Sequence, residues 1–204
     1  NMNFNFILLV AFCSLLLSAC GGSGGSGAAV VACSGSSGQT ITLATSDSSI
    51  SESSSDNVTL TATASSTSCS DIIVTLSTTG TATNGTDYSS LNGQTITISS
   101  GSTTGTKTFT TTDDSTYEGD ESVVVAITSV SGSSATESGT QSVTTTITEN
   151  ELTPRIQLSA SALGILEGSG GSLTLTATSS QAADEDITVA FTTSGTATEG
   201  TDYS

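Results

Sequence analysis

Histidine and tryptophan are absent from this sequence, and only Lys107 and Arg155 stand against 19 Asp and Glu, giving a formal net charge of −17. With so little positive charge there is nothing to track a phosphate backbone, so nucleic acid is excluded as a partner. The lack of histidine removes the commonest zinc ligand and the commonest general base. Aromatic residues make up 4% and there is a single proline, Pro154. Long apolar runs are missing as well. The one extended run, Phe4–Leu17, is shorter than the roughly 20 residues that cross a bilayer. Thr, Ser and Gly dominate the rest. Such a composition can mark disorder, but the apolar residues here are β-branched and alternate with Thr and Ser, which is the pattern of half-buried strands. The excess of acid favours a soluble surface, cation binding, or both.

The chain repeats itself. GTATNGTDYS at Gly80–Ser89 returns as GTATEGTDYS at Gly195–Ser204, an offset of 115 residues. At the same offset VTLTATAS (Val58–Ser65) falls on LTLTATSS (Leu173–Ser180), DIIVTLSTTG (Asp71–Gly80) on DITVAFTTSG (Asp186–Gly195), and Glu52 on Glu167. A period this long marks tandem copies of a domain, not a solenoid. Residues 39–151 make the first copy, 152–155 a linker with Pro154, and 156–204 the front part of a second, which reaches Ser204 less than halfway through. Taken by itself, that second part is expected to lack the strands that would cover its inner faces.

Seven strands are predicted in the first copy: Gln39–Ala44, Val58–Ala64, Asp71–Ser77, Gln94–Ser99, Thr106–Thr112, Ser122–Thr128 and Gln141–Thr148. Turn-rich Ser, Gly, Asn and Asp separate them and no segment has a helical period, so the fold class is all-β, an antiparallel sandwich. If the strands run alternately up and down, one end of the domain collects Asp47, Glu52, Asp56, Asp87, Asp113, Asp114, Glu118, Asp120, Glu121, Glu149 and Glu151, while the opposite end holds Asp71 and Glu137. Carboxylates crowded at one pole repel unless a cation bridges them. Calcium suits the role, since it takes six to eight oxygen ligands in flexible geometry. The alternative reading is a metal-free structural spacer with an acidic end. Asp113, Asp114 and Glu118 resemble a glycosidase pair only superficially, because the chain offers neither Trp for sugar stacking nor His. No catalytic residue is assigned.

The N-terminal run Phe4–Leu17 is followed by Leu17-Ser18-Ala19-Cys20 and then GGSGGSG. This predicts a signal peptide over residues 1–19. Leu-Ser-Ala-Cys resembles a bacterial lipobox, which implies lipidation of Cys20, an exported chain anchored at the outer membrane or cell surface, and a flexible Gly/Ser tether over 20–38. In that oxidising compartment Cys33 and Cys69 are expected to form a disulfide. Their counterparts in the second copy, Thr148 and Asp184, lack the pair together.

Ser-Glu at Ser51-Glu52, GTATNGTDY after the third strand, TTTDDSTYEGDE between the fifth and sixth, and VTTTITENE at the end together resemble the Calx-β domain, an immunoglobulin-like sandwich found in sodium–calcium exchangers and in bacterial surface and adhesion proteins. The resemblance implies calcium ligands at Glu52, Asp87, Asp113, Asp114, Glu118, Glu149 and Glu151, with Glu167 and Asp202 as the part of a second set present in the second copy. It also implies neighbouring repeats in cis as partners and a role in adhesion or as a calcium-stiffened stalk. Tyr88 and Tyr203 are expected to pack at the mouth of the sandwich rather than to bind a ligand.

Overall fold

The computed structural model describes residues 38–204 apart from 54 and 55. The signal peptide, the tether with Cys20, and Cys33 lie outside the described residues. Among those described, eleven strands and no helix are present: β1 Thr40–Thr45, β2 Ser49–Ser51, β3 Asn57–Ala64, β4 Ile72–Gly80, β5 Thr95–Ile98, β6 Thr104–Thr110, β7 Glu121–Ser131, β8 Thr136–Glu137, β9 Ser142–Thr148, β10 Ile156–Ala160 and β11 Leu175–Ser179.

The first repeat is a sandwich of two sheets, one in the order β6-β3-β1-β8 and the other β2-β9-β7-β4-β5. Alternation along the strands makes the core. In β3, Val58, Leu60, Ala62 and Ala64 are buried while the intervening Thr residues are half-buried. They meet Ile72, Val74 and Leu76 of β4, Ile96 and Ile98 of β5, and Val123, Val125 and Ile127 of β7 in one apolar cluster. Tyr88 and Phe109 close one end, both about 1% exposed, their rings edge-to-face with centroids 5.7 Å apart.

Each of the seven predicted strands is present, with differences that have local causes. The first does not stop in one sheet. After β1, Ser46–Ser48 carry the chain across to the other sheet, where β2 pairs in parallel with β9. The sixth strand was expected to end at Thr128, where its alternation breaks. The break is a bulge: Thr75 opposes Ser129 but Leu76 opposes Ile127, so Thr128 is extra and β7 runs on to Ser131. The short β8, parallel to β1, carries no alternation from which it could be read.

The second repeat copies the first pair for pair. Ile156 opposes Ser179 and Ala160 opposes Leu175, just as Ile41 opposes Ala64 and Thr45 opposes Leu60 at the 115-residue offset. The segment equivalent to β4, Ile187–Gly195, is not a strand. The partners of β4 are β5 and β7, and neither has a counterpart within residues 156–204. Leu158, Leu173, Leu175 and Phe191 are accordingly exposed.

The duplicated motif requires the glycine that opens it. Gly80 has φ +125°, and a Cβ there would stand 2.0 Å from the Ser122 carbonyl oxygen. Gly195, its counterpart, has φ +141°.

Candidate metal centre at the acidic pole

The site is an extension of the core. In the sheet order β2-β9-β7 the core-facing residues of adjacent strands line up: Ile50 opposes Ile147, and Ile147 opposes Glu121. Following each strand outward in steps of two keeps the same face. Ile50 leads to Glu52, Ile147 leads to Glu149 and Glu151, and Val125 and Val123 lead back to Glu121. Where the apolar row ends, a carboxylate row begins.

Glu52 is 5% exposed. Its loop is fixed by backbone bonds: Glu52 N–H donates to Thr148 O at 2.9 Å, and the Thr111 hydroxyl donates to Ser53 O at 2.5 Å and Ser51 O at 3.1 Å. The Asn150 side-chain amide donates both to the Glu52 carbonyl and, at 2.9 Å, to Asp113 Oδ1. These bonds hold the main chain; the Glu52 carboxylate itself makes none among the described residues. It faces Glu149 and Glu151 instead, the three offering oxygens within 4.8 Å of one another. Burial and the charges of Glu149, Glu151, Asp114 and Glu118 push the Glu52 carboxyl from 4.5 up to about 7.

Asp87, Glu118 and Glu121 form a second trio of the same span. Asp87, 8% exposed, sits in a tight loop in which its Oδ2 accepts the Thr83 N–H at 2.5 Å, while Asp87 N–H returns to Thr83 O at 3.1 Å. Glu121 rises to about 7 through burial, a hydrogen bond with Asp87, and the charges of Asp87, Glu118 and Asp184. Glu118 is raised as well, by burial and then by Asp87, Asp114, Asp184 and Glu149.

Glu149 behaves oppositely. Burial raises it, but amide donors outweigh that and bring it down to about 2. Its Oε2 accepts the N–H groups of Glu118 at 2.6 Å and Gly119 at 2.7 Å, and its Oε1 those of Asn150 at 2.9 Å and Glu151 at 3.0 Å. Glu149 therefore clasps the loop before β7 to the end of β9, between the two trios. Glu151 is raised, first through its hydrogen bond with Glu149.

Of the candidate ligands, Glu52, Glu149 and Glu151 come together in one trio, and Asp87 and Glu118 in the other. Asp113 and Asp114 are exposed and belong to neither. Asp113 is tied in through Asn150, and Asp114 Oδ1 accepts the Thr116 N–H at 2.6 Å while its charge bears on Glu52 and Glu118. Asp202 repeats the Asp87 loop, its Oδ2 accepting the Thr198 N–H at 2.8 Å. Glu167 and Asp202 are exposed. Glu121 was missing from the candidate ligands although its signal was present: it continues the inward phase of Val125 and Val123 by one more step.

Oxygens bound to one calcium ion stand no further apart than twice its bond length, roughly 4.6–5.2 Å. Both trios satisfy that limit at 4.8 Å. Lys107 is engaged elsewhere, donating to Gln94 Oε1 at 3.2 Å, and every charge acting on Glu52 is another acid. The donor set is all oxygen, the preference of a hard divalent cation.

The Calx-beta domain model matches residues 36–152 and again 149–204. Similar solved structures include CBD12 from CALX1.2 (16% identity, TM-score 0.47, covering 54% of this chain and 44% of that one). They also include the apo-form Calx CBD1 domain (17%, TM-score 0.41, 54% and 98%) and the calcium binding domain CBD12 of CALX1.1 (17%, TM-score 0.43, 52% and 45%). The chain thus spans less than half the length of the CBD12 structures it matches. A comparison with curated proteins gives no match.

Proposed function

Because this chain belongs to the Calx-beta domain family, we propose that it is a calcium-binding β-sandwich repeat module of an exported protein, lipid-anchored through Cys20 at a bacterial outer membrane or cell surface. In this reading it serves adhesion or forms a stalk that calcium stiffens. Calx-beta domains are non-catalytic binding domains, and no residue here is given a catalytic role. Glu52, Glu149 and Glu151 hold one cation and Asp87, Glu118 and Glu121 a second, with Asp113 and Asp114 as flanking donors. In the second repeat Glu167 and Asp202 belong to the corresponding site. Cys33 and Cys69 are paired, closing a loop that stabilises by about 3–4 kcal/mol.

The observation that carries the calcium reading is the Glu52 trio: Glu52 is a residue 5% exposed whose carboxylate has no hydrogen-bond donor among the described residues and faces only other carboxylates, and Glu151 Oε2 beside it is buried and unpartnered. Burying an unpaired charge is costly, and a divalent cation removes that cost. Calorimetric unfolding of the chain in calcium, in chelator and in magnesium tests it. The expected result is a rise in midpoint specific to calcium; equal midpoints in all three would leave the alternative, a metal-free spacer. One observation favours that alternative. The Glu149 clasp, with four amide donors, already joins the loops of the pole without an ion. Export and anchoring are tested separately, by palmitate labelling of the wild-type protein and of Cys20→Ser.

A further inference from the structure

Glu149 reaches two stretches of main chain at once. Its Oε2 takes the N–H groups of Glu118 and Gly119 in the loop before β7, and its Oε1 those of Asn150 and Glu151 after β9. The loop reciprocates, since Asp120 Oδ1 accepts the Glu149 N–H at 3.1 Å. Gly119 shapes the contact. It takes φ +79°, and a turn of this kind aims successive N–H groups at one point, making the concavity that holds anions. Here the anion is the protein's own carboxylate.

An ionised carboxylate has about four lone-pair sites, two on each oxygen. At Glu149 the four amides fill them, two to each oxygen. Its neighbour in the same trio is the opposite case: Glu151 Oε2 is buried and has no partner. A cation among Glu52, Glu149 and Glu151 therefore meets an open oxygen on Glu151 and saturated ones on Glu149. The amides that Glu149 binds also serve both trios. Glu151 belongs to the first, and Glu118 to the second with Asp87 and Glu121.

We infer that Glu149 is the positioning residue of the pole and not a ligand: it fixes the main chain of Glu118 and of Glu151, so that each carries its carboxylate into its own trio. This rests on the calcium reading for what the trios hold, and it narrows the first set of ligands to Glu52 and Glu151, with Asp113 and Asp114 flanking. The tie is complete without an ion, so calcium enters a site whose main chain is already placed.

The test uses the whole chain with calcium as the probe. Amide hydrogen exchange, read residue by residue by NMR in chelator and in saturating calcium, follows the tie directly. The amides of Glu118, Gly119, Asn150 and Glu151 are expected to be protected in both conditions. Glu149→Gln, which puts a donor where one acceptor oxygen stood, is expected to lose that protection at both stretches, while Glu52→Gln keeps it. Isothermal titration calorimetry reads affinity. Gly119→Ala removes no carboxylate and its methyl meets nothing within 4 Å, but it strains the left-handed backbone of the loop. It is expected to weaken calcium about 10–100-fold, the scale for groups that orient metal ligands, with the core amides of Val123 and Val125 still protected as proof of folding. Protection of the four amides only in calcium would make the ion the tie, and loss of protection on adding calcium would make Glu149 a ligand. Either result, or full affinity in a Gly119→Ala protein whose four amides have become unprotected, overturns the inference and leaves the calcium reading standing. Protection in chelator with no calcium binding by the wild type overturns the calcium reading, and with it the role of Glu149 toward ligands.

Discussion

Replacing Glu52 with Gln should stabilise the metal-free protein and abolish much of its response to calcium. A carboxyl whose value moves from 4.5 to about 7 on folding is disfavoured as an anion by about 3 kcal/mol once the pH lies above both values. Gln has nearly the same shape and does not ionise. In chelator at pH 8 the Glu52→Gln protein should therefore be the more stable of the two by up to about 3 kcal/mol, a midpoint roughly 10 °C higher. In saturating calcium the order should reverse. The wild type then gains stability by mass action, about 4.1 kcal/mol at one thousand times the dissociation constant, while the variant has lost a ligand at the centre of one trio. The assay is urea or thermal unfolding of both proteins, each with calcium and with chelator. A Glu52→Gln protein less stable than wild type in chelator would refute the reasoning, since it would mean that the buried carboxylate makes a favourable contact with no ion present.

Other outcomes follow from the same geometry. In chelator, stability should rise as the pH falls from 8 toward 5, because Glu52 and Glu121, both raised to about 7, are protonated in the folded state before the unfolded one. Below about 4.5 it should fall again as Glu149, lowered to about 2, loses its four amide bonds; denaturation midpoints across the pH series check both limbs. Gly80→Ala should cost at least about 2 kcal/mol, because the added methyl meets the Ser122 carbonyl at 2.0 Å in a left-handed backbone; urea midpoints measure it. Phe109→Ala should cost about 3–5 kcal/mol through the cavity it leaves beneath Tyr88, again read by urea unfolding. Intact-mass measurement after alkylation should show that Cys33 and Cys69 label only after reduction.

The sandwich was legible in the sequence wherever period-2 alternation was intact, as in Val58-Leu60-Ala62 and Val123-Val125-Ile127. It was obscured where that period fails. The bulge at Thr128 hid the last turn of β7, and β2 and β8 are three and two residues long, too short for any period. The up-and-down run of the strands located the acidic pole, but a residue-by-residue match to the family chose Glu118 and passed over Glu121, whose place is set by strand phase. The backbone bridge of Tyr117 to Ala183 in the second repeat was not readable at all. It joins residues far apart in sequence through backbone groups, which carry no side-chain signature.

Sliding of strands is a particular hazard for a protein woven from threonine. Ser-Val-Thr-Thr-Thr-Ile-Thr in β9 offers its neighbours much the same surface at several offsets. A one-residue slip would turn Thr146 and Thr148 inward and Ile147 out to water. A two-residue slip keeps the parity, and Thr in place of Ile alone would resist it weakly. Here the inward row continues from Ile147 into Glu149 and Glu151, so such a slip would drive a carboxylate into the place of an isoleucine that is 4% exposed, at a cost of several kcal/mol. The same arrangement ends β2 at Glu52 and begins β7 at Glu121. The acids act as stops at the ends of otherwise interchangeable strands, and they set the alignment of the sheet before any ion arrives.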